Sequence, residues 1–180
     1  MSNRREYRLC GTGGQGLILA SIILAEAAAH HGKQVVQTQS YGPEARGGAS
    51  KAEVIIASDC INHPKVILPH TVLIMSKKAY EKYGTDYHPQ GIIILDSTYI
   101  SDTANKQVVR LPITRYALKE LGTEIVANIV ALGVINALSK EVPQKLLQEA
   151  VLNRAPKGTE AINIKALQLG EHLVQTECQV

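Results

Sequence analysis

The sequence predicts an α/β protein: a three-layer α/β/α domain around a mostly parallel sheet, with a helical C-terminal third. Apolar runs typical of strands alternate with helical patterns, which is the order expected when helices join parallel strands. The run Ile92-Ile-Ile-Leu95 is apolar without alternation, as strands are when both faces of a sheet are covered. Glycines at the first strand–helix junction make the expected domain Rossmann-like.

The N-terminal part of the chain is expected to supply the sheet. Residues 6–10 predict a strand that runs into the glycines, and residues 17–31 predict a helix that Gly32 ends. This helix is apolar on nearly every side, so we expect it to be buried against the sheet and also against another element or subunit. A short helix is expected at residues 77–83, and further strands at residues 35–40, 51–57, 71–75, 91–96 and 108–113.

The C-terminal third is expected to be helical. Its apolar periodicity predicts helices at residues 124–138, 143–153 and 159–175, and Pro143 suits the first turn of the second of them. The chain shows no linker, low-complexity segment or internal repeat. We therefore treat residues 4–175 as one unit, and the whole chain, 1–180, as a single domain.

The composition narrows the functional classes. The chain has 180 residues, of which 45% are hydrophobic; it has 7 Tyr but no Phe or Trp, so its core must be aliphatic. Folds that stack bases on rows of aromatic side chains are thereby disfavoured. The net charge of +3 is small, and the cluster Arg4, Arg5 and Arg8 is interpreted as a solvated basic end. We expect no nucleic-acid partner.

The cysteines and the apolar runs bear on the cellular location of the protein. Cys10, Cys60 and Cys178 are too far apart in sequence to form a recognisable metal-binding motif. Their odd number, without a signal peptide, predicts a reducing, cytoplasmic location. The apolar stretch at residues 17–29 is interrupted by Ser21 and Glu26 and is too short to cross a bilayer, so no membrane role is expected.

The first motif that could carry chemistry is the glycine-rich junction. A helix that follows such glycines offers free N–H groups to a phosphate or carboxylate. A dinucleotide site also needs an acid about 20 positions further on, and residues 35–40 contain none. The alternative is that the glycines only permit close packing. The candidate anion or phosphate contacts are Gly11, Gly13, Gly14, Gln15 and Gly16.

The second motif is a loop rich in glycine and proline that also carries a phenol, a carboxylate and a guanidinium. Glu44 and Arg46 could pair with each other, or they could meet a partner subunit or a phosphorylated ligand, for which the arginine fork is suited. The sequence leaves both interpretations open. The residues of this loop are Tyr41, Gly42, Pro43, Glu44, Arg46, Gly47 and Gly48.

The other polar residues form no catalytic set. Asp96 ends a predicted strand, where a hydrogen-bonded structural acid is more common than a catalytic one. The histidines and the tyrosines near residues 80–87 show neither ligand spacing nor a nucleophile–base arrangement. We therefore predict no catalytic residue and no metal site in this chain.

Several segments in order resemble the gamma subunit of the 2-oxoacid:ferredoxin oxidoreductases. They are Gly11-Thr-Gly-Gly-Gln-Gly16, Ser40-Tyr-Gly-Pro-Glu-Ala-Arg-Gly-Gly48, Asn128-Ile-Val-Ala-Leu-Gly133 and the spaced residues Lys157, Glu160, Asn163, Ala166 and Gly170. The resemblance covers nearly the whole chain. The second segment is most similar to the 2-oxoglutarate members, followed by the branched-chain members.

The resemblance implies an accessory subunit of a complex that oxidatively decarboxylates a 2-oxoacid to an acyl-CoA and reduces ferredoxin. Thiamine diphosphate, an iron–sulfur cluster and coenzyme A would belong to the full complex, and this chain alone would bind none of them. Its partners would be alpha, beta and also delta subunits, with ferredoxin reached through the complex. Residues 41–48 would face these subunits or the coenzyme A channel.

Other interpretations stay open beside the resemblance. A stand-alone Rossmann-like protein that binds a nucleotide or small molecule would use the glycine-rich junction, although the missing acid argues against it. A monofunctional enzyme would use Glu44 and Asp96, but the sequence supplies no further parts for it. When isolated, the chain is also expected to be able to pair with itself to hide apolar surface.

Overall fold

A six-stranded sheet forms the centre of the protein. The structure, a computed structural model, describes residues 4–40, 48–101 and 108–177. The strands are β1 (Arg5–Thr12), β2 (Gln34–Gln39), β3 (Ala49–Ala57), β4 (Thr71–Ile74), β5 (Ile92–Asp96) and β6 (Val108–Leu111). Their order across the sheet is β2-β3-β1-β4-β5-β6.

The sheet is mixed. Strands β1, β4, β5 and β6 are parallel neighbours, as predicted, whereas β3 runs antiparallel to both β2 and β1. A parallel connection needs about a dozen residues or more, usually a helix, and only residues 40–48 separate β2 from β3. The short connection therefore turns β3 back, and β3 takes the place beside β1.

In the described residues, six helices cover the sheet unequally. They are α1 (Leu17–His30), α2 (Lys77–Tyr83), α3 (Ile113–Leu121), α4 (Ala127–Ser139), α5 (Gln144–Arg154) and α6 (Glu160–Glu177). The larger core cluster joins one face of the sheet to α1, α3, α4, α5 and α6. The opposite face is covered by α2 and by loops. The predicted three layers are present, and one of them is thin.

Helix α3 was not predicted. The sequence pattern favoured a strand through residue 113, but β6 ends at Leu111 and a helix begins at Ile113. Its N-terminus is satisfied from a distant part of the chain: Asp96 accepts hydrogen bonds from the backbone N–H (3.1 Å) and the hydroxyl of Thr114. Thr98 Oγ1 accepts from the Arg115 N–H at 3.1 Å. Because this cap is not local, the usual sequence signal is missing.

The core is aliphatic, as the composition predicts, and Tyr7 is its one fully buried aromatic side chain among the described residues. Behind the sheet, α4 and α6 pack at the closest approach that backbones allow. A Cβ placed on Gly133 would overlap the Leu167 carbonyl oxygen, and one placed on Gly170 would overlap that of Val130. Both glycines belong to the segments that carry the family resemblance, and here they have a packing role.

The N-terminal basic group is internal in part, so the expectation of a solvated end was wrong for Arg8. Its side chain is 5% exposed and lies 2.7 Å from the Glu53 carboxylate, with Asp86 at 3.1 Å. A guanidinium can be buried when carboxylates face it in this way. The network ties β1 to β3 and to the loop before β5. Of the helices in the described ranges, none has the length and apolar character needed to span a membrane.

Candidate functional site

The glycine-rich loop joins β1 to α1 at the end of the sheet where the parallel strands have their C-termini. Gly14 has a φ of 92° and Gly16 a φ of 69°, both in the left-handed region that favours glycine. Gly13 and Gly14 are exposed at the tip of the loop. In open α/β sheets ligands bind outside these carboxyl ends of the strands.

The side chain of Gln15 fastens the loop to the sheet. Its Oε1 accepts a hydrogen bond from the Thr12 N–H at 2.7 Å, and its Nε2 donates to the Met75 carbonyl oxygen at 3.0 Å. A Cβ on Gly11 would overlap Gln15 Oε1 and would also crowd Leu17. Gly11 and Gln15 therefore have packing contacts, the alternative that the sequence left open, whereas Gly13, Gly14 and Gly16 are the exposed glycines of the loop.

Two helix N-termini meet beside the loop. Asn128, in the first turn of α4, donates its Nδ2–H to the Gly16 carbonyl oxygen at 3.1 Å. Helices α1 and α4 each lack a side-chain cap and an acidic residue in the first turn. Their N-terminal N–H groups and dipoles contribute partial positive charge here.

The loop tip separates two clefts. One, of about 540 Å³, lies between α1 and the ends of β2 and β3, with Ser40, Ser50 and Lys51 in its wall. The other, of about 400 Å³, lies between α1 and α4 and includes Tyr99, Glu124 and Ile125. Their walls combine apolar side chains with a few polar groups, which is the usual character of binding clefts.

The charged groups at these clefts are already paired. Lys51 Nζ lies 2.9 Å from Glu53, and the Tyr99 hydroxyl donates to Glu124 at 3.5 Å. Burial and the Glu124 carboxylate raise the pKa of Tyr99, so the phenol is neutral at physiological pH. Within the described residues we find no nucleophile with a base beside it at either cleft.

The second motif lies outside the described residues, apart from Gly48, which precedes β3. The roles predicted for Tyr41, Glu44 and Arg46 therefore stay predictions.

Asp96 and Cys10 are both fully buried. The remaining oxygen of Asp96 accepts from the Thr98 N–H at 3.0 Å, so this carboxylate caps α3 as the commoner interpretation held. Burial raises the pKa of Cys10 to about 12, which keeps its thiol protonated and unreactive. In the parts of the chain that are described, no three His, Cys, Asp or Glu side chains are grouped to hold a metal.

A pair of histidines near the N-terminal ends of β4 and β5 was not predicted. The rings of His70 and His88 stack with centroids 4.6 Å apart. Nδ1 of His70 accepts from the Glu6 N–H at 3.2 Å, and Nδ1 of His88 accepts from the Gln90 N–H at 3.1 Å. Burial, His88 and the nearby arginines lower the pKa of His70. His70 and His88 are well separated along the chain, so the fold brings their rings together.

Fold and site together define a class of protein: an α/β domain that presents a glycine-rich loop between two partly apolar clefts, with no nucleophile–base pair found at those clefts within its described residues. The chain belongs to the pyruvate ferredoxin/flavodoxin oxidoreductase family, whose model matches residues 6–172.

Relatives with similar sequence and fold are subunits of such enzymes. The 2-oxoglutarate synthase subunit KorC of Methanocaldococcus jannaschii is 45% identical over 172 residues, which cover 93% of this chain and 92% of that one. The gamma subunit of a keto/oxoacid ferredoxin oxidoreductase from Geobacter sulfurreducens is 40% identical, with a TM-score of 0.87 over 96% of this chain and 97% of that chain.

The same fold occurs within a longer chain. A 2-oxoglutarate:ferredoxin oxidoreductase from Magnetococcus marinus, solved with 2-oxoglutarate, coenzyme A and succinyl-CoA, has a TM-score of 0.83 at 22% identity. The similarity covers 96% of this chain and 31% of that chain. At this identity the match concerns the fold.

Proposed function

We propose that this chain is the gamma-type accessory subunit of a 2-oxoglutarate:ferredoxin oxidoreductase. The complex would decarboxylate the 2-oxoacid, transfer the acyl group to coenzyme A and pass electrons to ferredoxin. Thiamine diphosphate and the iron–sulfur cluster would lie on other chains. The observation that carries the proposal is the similarity to KorC along nearly the full length of both proteins.

The surface proposed to meet the larger subunits is the rim of the α1–α4 cleft. Ile125 is 87% exposed and Tyr99 46% exposed, and Leu19 is half-exposed beside them. These three side chains and Gly14 line the cleft, so apolar groups lie beside the exposed glycine tip. Exposed apolar clusters of this kind on a soluble domain mark interaction sites, and glycine at the tip lets another backbone approach closely.

The rim can be tested by assembly. Ile125→Arg places a charge in the proposed interface. Ile67→Arg is the matched control, since Ile67 is 61% exposed and lies at the opposite end of the strands. We expect Ile125→Arg to reduce, by about tenfold or more, the amount of the larger subunits that co-purify with the tagged chain, because a buried unpaired charge costs several kcal/mol. Equal recovery with both variants would remove the rim from the interface.

The loop at residues 41–48 is proposed to face the partner subunits or the coenzyme A channel. A guanidinium at Arg46 suits a carboxylate or phosphate partner. Arg46→Ala should therefore lower assembly, or the apparent affinity of the assembled enzyme for coenzyme A, while the exposed Lys65→Ala leaves both unchanged. If Arg46→Ala behaves like the control in both measurements, this role is wrong.

The substrate is tested with the assembled complex. Ferredoxin reduction, dependent on coenzyme A, should be faster with 2-oxoglutarate than with pyruvate or a branched-chain 2-oxoacid when each is compared by kcat/KM. A preference for another 2-oxoacid would contradict the substrate assignment and leave the accessory role in place.

A further inference from the structure

One edge of the sheet presents unused hydrogen-bonding groups. Strand β2 has β3 as its one neighbour among the described strands. The Ser40 N–H donates to the Lys51 carbonyl oxygen at 3.2 Å, one pair beyond the ladder that includes Gln39 and Ala52. Since such pairs alternate along an antiparallel ladder, the backbone groups of Val35 and Gln37 point outward. Within residues 4–40, 48–101 and 108–177, the backbone groups of these two residues form no hydrogen bond outside the β2–β3 ladder.

Strand β2 itself carries none of the residues that usually protect an edge against pairing. Strand β2 reads Gln-Val-Val-Gln-Thr-Gln: it has no charged residue, no proline and no glycine, and half of its residues are β-branched. Proteins normally block an exposed edge with charges, proline, a bulge or a covering element. An uncharged strand of six residues with outward amides is suited to accept another strand.

Apolar side chains of α1 stand beside the same edge. Gln37 Nε2 donates to Ser21 Oγ at 3.0 Å, so this side of α1 lies next to β2. Ile18 and Ala25 are three and four residues from Ser21 and share its side of the helix, with Ile22 next to them. All three are half-exposed. Alternate side chains of a strand added outside β2 would lie against them.

We propose that a second copy of this chain pairs with β2 in antiparallel fashion, so that two sheets join across a two-fold axis. In the register centred on Val36, Val35 of each copy exchanges hydrogen bonds with Gln37 of the other, and the two Val36 side chains meet. Helix α1 of both copies lies on the same side of the joined sheet.

The charges favour a second copy as the occupant. Because β2 is uncharged, self-pairing sets no like charges opposite each other. The nearest charged residue, Lys33, falls opposite Gln39 in this register. The pairing covers the Ile18, Ile22 and Ala25 side of α1 twice over, once in each copy, and it leaves the rim at Ile125 free.

Exchange of charges tests the pairing. The wild-type chain is expected to be a dimer by size exclusion with light scattering. Val36→Lys and Val36→Glu should each be monomeric, because like charges then face each other, and their equimolar mixture should return to the dimer. Val36 is half-exposed on the side of the sheet opposite to α1, so circular dichroism should show both variants folded.

A cross-link tests the register. In a background with Cys60→Ser and Cys178→Ser, Val36→Cys should form a disulfide dimer on mild oxidation, since non-hydrogen-bonded pairs bring Cα atoms to about 4.5 Å. Thr38→Cys is the matched control: it faces Gln34, and its own copy is about 13 Å away along the strand. It should stay uncross-linked.

Three results would overturn the proposal. The first is a wild-type chain that is monomeric at all concentrations. The second is a dimer that persists in both charge variants, and the third is equal cross-linking of the two cysteine variants. If the chain is monomeric alone and Val36→Lys blocks co-purification of the larger subunits, the edge binds a strand of another subunit instead. These results do not bear on the accessory role, which co-purification of the larger subunits with the tagged wild-type chain tests separately.

Discussion

At the scale of single residues, one amide holds the candidate site in shape. Gln15 uses both ends of its side chain, Oε1 toward Thr12 and Nε2 toward Met75, so the loop after β1 is fixed to the end of β4. Sequence inspection placed Gln15 among the candidate anion contacts. Its two internal hydrogen bonds give it a positioning role for the exposed Gly13 and Gly14, and its contact with an anion stays a prediction.

Gln15→Ala should therefore destabilise the protein by about 1–3 kcal/mol, since two hydrogen bonds of about 0.5–1.5 kcal/mol each are lost. Gln15→Glu should cost at least as much, because a carboxylate would face the Met75 carbonyl oxygen. Urea unfolding measures both, with the exposed Gln90→Ala as the control. A Gln15→Ala midpoint equal to that of the control would show that these bonds contribute nothing net.

The stacked histidines predict a pH dependence. The pKa of His70 is lowered in the folded protein, so the folded state resists protonation more than the unfolded state does. Its contribution to stability is complete above the unfolded pKa of about 6.5 and is lost as the pH falls below that value. The shift comes first from burial of the ring and then from the charges of His88, Arg5 and Arg4, opposed by Glu6.

The urea midpoint should accordingly fall between about pH 7.5 and about pH 5, and His70→Gln should reduce that fall. His172→Gln, which changes an exposed histidine on α6, should leave the fall unchanged. Identical pH profiles for wild type and His70→Gln would mean that other groups cause the dependence.

At the scale of elements, the crossing of α4 and α6 depends on Gly133 and Gly170. Gly170→Ala gains about 1 kcal/mol of helix propensity, but its Cβ would meet the Val130 backbone, which cannot move aside like a flexible side chain. We expect a net loss of about 1–3 kcal/mol. Gln168→Ala, exposed on the same helix, should change the free energy of unfolding by less than about 0.5 kcal/mol. A stabilised Gly170→Ala would show that the helices can separate at little cost.

The elements also show which parts of the fold the sequence could predict. Strand β5 was predicted from its continuous apolar run, and Ile93, Ile94 and Leu95 are fully buried. Periodicity located α1 and the last three helices to within a few residues. Helix α3 was missed because its cap comes from Asp96 and Thr98, which are distant in sequence. The antiparallel direction of β3 was missed because strand pairing depends on contacts that no local pattern encodes.

At the scale of the whole molecule, strand order explains why a glycine-rich loop need not bind a dinucleotide. In a dinucleotide site the ribose is held by an acid at the end of the strand beside β1. Here β3 occupies that position and β2 lies two strands away, about 10 Å from β1. Strand β2 also carries no acid. The sequence showed the missing acid, and the fold adds the displaced strand.

We therefore expect that calorimetry will detect no tight binding of NAD to the isolated chain, and none of thiamine diphosphate. The second expectation follows from the proposed accessory role. A stoichiometric complex with NAD would favour the stand-alone nucleotide-binding interpretation. One with thiamine diphosphate would contradict the assignment of that cofactor to other chains.

The central place of β1 has a consequence for synthesis. Among the six described strands the ribosome makes β1 first, and its neighbours in the sheet come much later: Tyr7 pairs with Val54 on one side and Thr71 on the other. Until both have emerged, two open edges of an apolar strand are available to other nascent chains or to chaperones. Stalled chains that end before residue 71 should therefore be sensitive to protease, and protection of the N-terminal segment should appear only once β4 is outside the ribosome.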